Sequence, residues 1–302
     1  MRRPPSRLRL VVAAADAGAS LLRFVTQRGG VAAELARASI LRGGAFVDRR
    51  RERDPDAAVR EGERVEVDLR GPASAAAPRL LHLDALVIAV DKPAGVLAQQ
   101  GRAGGPALPD LCAQLLRERG EPGVALLVHR LDRETTGVTV LARTKAAQAA
   151  LLAEFRAGRV HKEYRALCVG VPPADRGLID LSLGADPRAP GRRRPDPRGE
   201  VARTRWEVAQ KLRGAALIAA FPETGRTHQV RAHLAAIGLP LAGDVRYGGP
   251  RSLTLPDGRR MDLGRPLLHA LALRLRHPAG QELSLSAPAP PDLLQAADFL
   301  AD

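Results

Sequence analysis

The run Val124-Ala125-Leu126-Leu127-Val128-His129-Arg130-Leu131-Asp132-Arg133-Glu134-Thr135-Thr136-Gly137-Val138-Thr139-Val140-Leu141-Ala142 carries the most information in the chain. Its two ends are apolar runs rich in Val and Leu, the pattern of buried strands. Between them, five ionisable side chains fall within the six residues His129 to Glu134. Burying part of such a cluster is costly unless its charges are paired. A charged loop strung between two buried strands is therefore poor material for stability alone, and it fits a site held on a rigid scaffold.

Working outward, Leu86–Val90 reads as another buried strand, ending in the turn Asp91-Lys92-Pro93-Ala94-Gly95. Thr144 is placed to cap a helix from Lys145 to Ala157, with Gly158 as its stop and Ala147, Leu151 and Phe155 as its apolar stripe. From Val160 to Val169 the pattern alternates, so Val160, Lys162, Tyr164, Ala166 and Cys168 share one strand face. Ala215–Phe221 and Leu267–Leu275 read as further strands. Residues 184–199 hold four prolines and five arginines and are expected to be a loop. A second charged knot, Glu223-Thr224-Gly225-Arg226-Thr227-His228-Gln229-Val230-Arg231, leads into a short helix with Thr227 as its cap and Val230, Leu234 and Ile237 as its buried stripe. Arg231 lies on the flank of that stripe, facing either a buried carboxylate or solvent. The expected fold class is α+β, with a large mixed, mostly antiparallel sheet.

The chain has 302 residues, enough for one or two domains. Lys and Arg number 47 against 33 Asp and Glu, a net charge of +14. That excess points to a polyanionic partner, nucleic acid before membrane. The two cysteines, Cys112 and Cys168, stand far apart and in no metal spacing, which suits a reducing compartment, and a cytoplasmic location is expected. No apolar run is long enough to span a membrane, and no signal peptide is evident.

Residues 71–79 are a linker by composition, which divides residues 1–19 (a tail) and 20–70 from a larger unit at 80–302. In the first unit two helical patterns precede two alternating stretches, Ala45–Asp48 and Arg64–Leu69, while Arg37, Arg42, Arg49, Arg50 and Arg51 gather near the turn. This segment resembles the S-four-type (αL) RNA-binding domain, with Glu61-Gly62-Glu63-Arg64-Val65-Glu66-Val67 as the matching close. Ser20-Leu21-Leu22-Arg23 replaces that family's usual opening, and Asp48-Arg49 its Asn-Gly turn.

The larger unit resembles the RluA family of pseudouridine synthases. Five motifs occur in that family's order: Asp91–Gly95, His129–Gly137 (with Thr136 where Ser is usual), Lys162-Glu163-Tyr164, the run from Glu223 through Arg231 to Gly243-Asp244 and Tyr247-Gly248, and Leu268-His269-Ala270 closing at His277-Pro278. A departure follows Gly95, where Ala98-Gln99-Gln100 stands in place of the common Val-His-Pro.

The resemblance implies an isomerase that needs no cofactor, acting on a flipped-out uridine. It implies Asp132 as the catalytic carboxylate, Arg231 as its partner and Tyr164 as an active-site ring that stacks on the base and helps in proton removal. A nearby guanidinium favours an ionised carboxylate. Read by itself, Asp132 is an exposed loop residue paired with Arg130 or Arg133, and Tyr164 is equally a core aromatic. Three routes start from one carboxylate: addition to carbon 6 of the base, attack on carbon 1 of the ribose, or proton removal at carbon 2 through a glycal. Arg130 is implied to enter the RNA stack in place of the extruded base. Lys92 and Lys162 read as structural or phosphate-contacting, and the basic segment Arg192-Arg193-Arg194 is a candidate RNA contact.

No metal is expected. His228 and His233 are wrongly spaced to share one, and His129 and His269 read as structural histidines. The module order resembles relatives acting on large-subunit ribosomal RNA. Transfer RNA, a catalytically idle ribosome-assembly factor, and a glycoside hydrolase using Asp132 with Glu134 are the rival readings. A monomer is expected.

Overall fold

The computed structural model describes residues 8–41, 44–48, 50–67, 77–99 and 107–301, without the side chains of Ala38 and Arg51. Arg42, Gly43, Arg49, Gln100 and residues 71–76 of the expected linker lie outside the described residues. The chain divides into two compact units. No described helix is long and apolar enough to cross a membrane.

The first unit has helices Leu21–Gly29 and Ala33–Leu41 and a four-stranded antiparallel sheet. The sheet order is Leu8–Val11, Arg64–Val67, Ala45–Val47, Arg50–Glu52. Ser20 caps the first helix through the Arg23 N–H at 3.3 Å, and Gly30 closes it in the left-handed region. Leu21, Phe24, Val25, Ile40, Val65 and Val67 form its core. The expectation of a tail over residues 1–19 needs correcting, because Leu8–Val11 pairs with Arg64–Val67. Its alternation of Leu and Arg belongs to a strand with one face on the core. Asp48 takes φ 45 in the hairpin turn, a conformation Asp tolerates better than most residues.

The second unit is built on a ten-stranded sheet. Its main path runs Arg176–Asp180, Arg203–Leu212, Ala215–Pro222, His161–Val169, Leu268–Arg276, Thr136–Ala142, Val87–Lys92, Arg79–Leu83. Every described pairing in it is antiparallel except one: Thr136–Ala142 lies parallel to Leu268–Arg276, with His269 opposite Thr136 and Ala270 opposite Gly137. Alternate residues of the strands serve the two faces. Ala166, Cys168, Ile218 and Ala220 pack under the helix Gln229–Ala236 through Val230 and Leu234. Leu167, Ala215 and Leu217 pack with the C-terminal helix Pro291–Ala301 through Leu293, Ala296 and Leu300. The helix Lys145–Arg156 is capped by Thr144 and buries Ala147 and Leu151 against Val138, Val140 and Val128.

Residues 184–199 are not a plain loop. Leu183–Ala185 pairs with Arg193–Pro195 as a short hairpin. Two of the prolines, Pro187 and Pro190, fall in its turn, and Pro195 ends a strand. A two-stranded ribbon does not require the N–H that Pro195 lacks.

Candidate functional site

Asp132 and Arg231, ninety-nine residues apart, meet: Arg231 Nη1 donates to Asp132 Oδ2 at 3.1 Å. The loop that carries Asp132 is pinned from below. Lys92 is fully buried, and its Nζ donates to the carbonyls of Pro93, Val96 and Arg133, each at 2.9 Å. Gly95 N–H and Arg133 Nε add two further bonds between the same two loops. Burial pulls the Lys92 amine down to about 7. Three carbonyl acceptors oppose that shift, because only the ammonium offers three donors. Of the two sequence readings of Lys92, structural or RNA-contacting, the structure favours the first: its donors are used inside the protein, and it ties Asp91–Val96 to the loop that carries Asp132.

Arg231 faces inward, and its principal partner is Asp244. Nε and Nη2 bond the two oxygens of that carboxylate at 2.7 and 2.8 Å, a bidentate pair beneath the single bond to Asp132. Burial opposes the Arg231 charge, but its bonds to Asp244 and the two carboxylate charges outweigh burial and push its pKa up. Both described contacts of Asp132 fall on Oδ2, from Arg231 and from His228 Nε2 at 3.8 Å. Its Oδ1 has no hydrogen-bond partner among the described residues.

Asp132 lies between two clefts. One, of about 610 Å³, is lined by Tyr164, Lys162, Arg130, Phe155, His228 and Arg231 among others. The second, of about 560 Å³, lies on the side of Gln99, Glu134, Asp244 and Arg246. Volumes of this size suit one small ligand or nucleotide. Tyr164 comes from the strand beside the parallel junction, opposite Ala270 and Ala220. Burial first, then the Asp132 charge, raises its phenol pKa, so it is protonated at neutral pH. Lys162 donates to the Thr224 carbonyl at 2.8 Å, and burial pulls its amine down to about 8. Arg130 is exposed at the border of the two clefts, where its Nη2 donates to Thr227 Oγ1 at 2.8 Å.

The Thr227 cap is also corrected. His228 occupies the cap position of the Gln229–Ala236 helix with no side-chain cap. The order in that knot comes from Gln229. Its Oε1 accepts from Thr224 Oγ1 and Arg226 N, and its Nε2 donates to Arg203 O and Thr204 Oγ1. Arg192, Arg193 and Arg194 line neither cleft. Arg192 lies 3.7 Å from Asp186 and over the Tyr247 ring, Arg194 lies 3.9 Å from Asp196, and the Arg193 backbone N–H donates to Tyr247 Oη at 2.9 Å.

Sequence reasoning assigned no role to Asp244, His228, Tyr247 or Gln229, although all stand in the quoted motif. The glycine before Asp244 was the available signal. Gly243 has φ +81, and a Cβ there would strike the Arg265 carbonyl, so the backbone is tightly specified at that point.

Three other histidines have structural roles. His129 Nε2 accepts from Val140 N–H at 2.9 Å while its ring stacks on Phe155, and burial pulls it down to about 3. His233 and His269 are each bonded at both nitrogens. One group of metal-type ligands occurs among the described residues, His82, Asp84 and His277. His277 Nδ1 accepts from Ala279 N–H at 3.2 Å, which leaves the proton on Nε2, facing Asp84 Oδ2 at 3.1 Å. His82 Nε2 stands 2.7 Å from the same oxygen. The Nε2 proton occupies the lone pair a metal would use, so the cluster does not fit a metal site.

The family model for RNA pseudouridylate synthase matches residues 86–236. The chain belongs to that family. An RNA pseudouridine synthase of Zymomonas mobilis is 37% identical over 217 residues, covering 71% of this chain and 94% of that one. The ribosomal large subunit pseudouridine synthase D of Xanthomonas campestris is 36% identical over 267 residues, 83% of this chain and 79% of its own. Among solved structures, human RNA pseudouridylate synthase domain containing 4 aligns with TM-score 0.57 and 29% identity, over 74% of this chain and 92% of that chain. The protein is thus an RNA pseudouridine synthase, an isomerase, and its large, mostly antiparallel sheet is that of pseudouridylate synthase domains.

Proposed function

We propose that the chain isomerises uridines of large-subunit ribosomal RNA, and that Asp132 is the carboxylate that starts the reaction. One observation carries this reading: Asp132 is held in a nucleotide-sized cleft by a buried guanidinium on one oxygen and is open on the other. Relatives whose names specify the ribosomal large subunit support the target.

The reaction breaks the bond from ribose carbon 1 to base nitrogen 1, and joins that carbon to base carbon 5. Nitrogen 1 gains a proton and carbon 5 loses one, so no oxidant or energy source is consumed. The uridine leaves its stack to enter the cleft, and Arg130 takes its place. Asp132 Oδ1 meets the sugar or the base by one of the three routes above. Arg231 keeps the carboxylate oriented. Tyr164, protonated at neutral pH, stacks on the base and offers its hydroxyl as a hydrogen-bonding group near the leaving nitrogen.

The helices and sheet of the first unit support its reading as an S-four-type RNA-binding module, which would add affinity through phosphate contacts.

The test is nucleotide-resolved pseudouridine mapping of total RNA from a deletion strain. Specific large-subunit positions lose the modification, and they regain it with wild type but not with Asp132→Ala. Loss confined to transfer RNA overturns the target, and no loss at all leaves the idle assembly factor.

A further inference from the structure

Among the described residues only two other than glycine adopt positive φ, Asp48 and His228. For histidine the left-handed region is unfavourable by roughly 1–2 kcal/mol. His228 holds it, with φ 57 and ψ 21, at the start of a helix its side chain does not cap. Strain of this kind persists where surrounding contacts over-determine the residue.

Those contacts bear on its tautomer. His228 Nδ1 lies 3.0 Å from Tyr247 Oη, and that same Oη accepts the Arg193 backbone N–H at 2.9 Å. One lone pair of the phenol receives that N–H, and its own proton can be given to Nδ1. A neutral imidazole then carries its hydrogen on Nε2, the atom 3.8 Å from Asp132 Oδ2. The charges facing the ring are Asp132, Arg231, Arg246 and Asp244, together with the Tyr247 phenol. Burial is the largest influence and keeps the imidazole neutral against the pull of Asp132. Tyr247 is itself fixed: its ring meets the imidazole edge-on at 84°, and the guanidinium of Arg231 lies 5.0 Å from its centroid.

We propose that His228 is a positioning residue, held by Tyr247 as the Nε2–H tautomer so that it presents a second donor to Asp132 Oδ2 beside Arg231. The inference rests on the proposed role of Asp132. At 3.8 Å the contact is longer than a hydrogen bond. Such contacts commonly tighten when substrate fills a site. With both donors on Oδ2, the carboxylate cannot rotate, and Oδ1 is the oxygen presented to the nucleotide.

The test combines two measurements on the full-length protein. The ¹⁵N shifts of His228, assigned by its loss in His228→Asn, should report the neutral Nε2–H tautomer near neutral pH, and Tyr247→Phe should abolish that preference. Single-turnover pseudouridine formation is then followed against pH. Asn tolerates the left-handed backbone, fills the space near Nδ1 and removes the Nε2 donor. His228→Asn should lose on the order of 10- to 100-fold in rate, the effect of one hydrogen bond to a charged group. Its RNA affinity and melting temperature should be unchanged, and the acid limb of its rate profile should move to higher pH. His228→Gln, whose amide reaches the Nε2 position, should return both toward wild type.

An Nδ1–H tautomer in the wild type overturns the proposal, as does a His228→Asn variant with wild-type rate and acid limb. Equal losses in the Asn and Gln variants, accompanied by lowered melting temperatures, also overturn it in favour of a structural role. A wild-type protein that forms no pseudouridine overturns the proposed function instead, and the tautomer measurement then decides this inference by itself.

Discussion

Arg231 gives two hydrogen bonds to Asp244 and one to Asp132, so the buried carboxylate and not the cleft one is its main partner. The two aspartates should therefore differ in substitution. Asp244 is 1% exposed, and its removal leaves a guanidinium buried with half its partners gone. Asp244→Ala should destabilise by roughly 3 to 5 kcal/mol. Asp132 is 25% exposed, and Asp132→Ala should cost less than about 1 kcal/mol while abolishing activity. Urea unfolding of both variants checks the order, and equal costs would refute it.

Lys92 locks two loops through three carbonyls. Lys92→Met leaves those carbonyls without their donor and should destabilise by about 3 kcal/mol or more. The pH dependence has a definite sign. A lysine whose folded pKa is depressed binds its proton more readily when unfolded, so stability rises with pH between the folded value of about 7 and the ordinary value of 10.5. The wild-type curve minus that of Lys92→Met should rise across that window and flatten below it. A flat difference would show that the three carbonyls hold the ammonium at its ordinary pKa.

Lys162 titrates inside the cleft. Its amine is protonated below about 8 and neutral above, so the cleft loses a positive charge as pH rises through that value. RNA binding should weaken from neutral pH to about pH 9, with the logarithmic salt slope falling by about 1. In Lys162→Gln that pH-dependent part should be missing. Filter binding at two pH values and several salt concentrations measures it.

Gly137 takes φ +115 opposite Ala270 at the parallel junction, and a Cβ there would strike Ala270 backbone atoms. Gly137→Ala should cost more than about 3 kcal/mol, because neither the dihedral nor the neighbouring backbone can give. Thermal unfolding by circular dichroism would show it; a loss of under about 1 kcal/mol would mean the strands can part.

What the sequence disclosed follows the reach of periodicity. Alternation and helical spacing foretold the strands around Val87–Lys92, Thr136–Ala142 and His161–Val169, and the Thr144 cap. The ordered motifs led to Asp132, Tyr164 and Arg231, which line one cleft. Periodicity does not encode which side chain meets which across a hundred residues. The inward turn of Arg231 depends on Asp244, and the burial of Lys92 depends on carbonyls, which no residue type announces. His228 passed as an ordinary histidine because its backbone conformation is invisible in its name. The strand Leu8–Val11 passed as tail because its alternation lasts only four residues and its edge carries arginine.

The parallel pairing of Thr136–Ala142 with Leu268–Arg276 joins residues 133 apart, and the Thr136–His269 bond closes it. On that side Leu126–Leu127 already pairs with Leu141 and Ala142, but the Thr136–Gly137 end of the earlier strand has no neighbour there until the later one emerges from the ribosome. A nascent or prematurely terminated chain would carry much of the charge that draws it to nucleic acid, yet it would lack the seat for the loop that carries Asp132. Affinity for RNA would therefore arise before competence to alter it, and any unfinished copy would be a binder without chemistry.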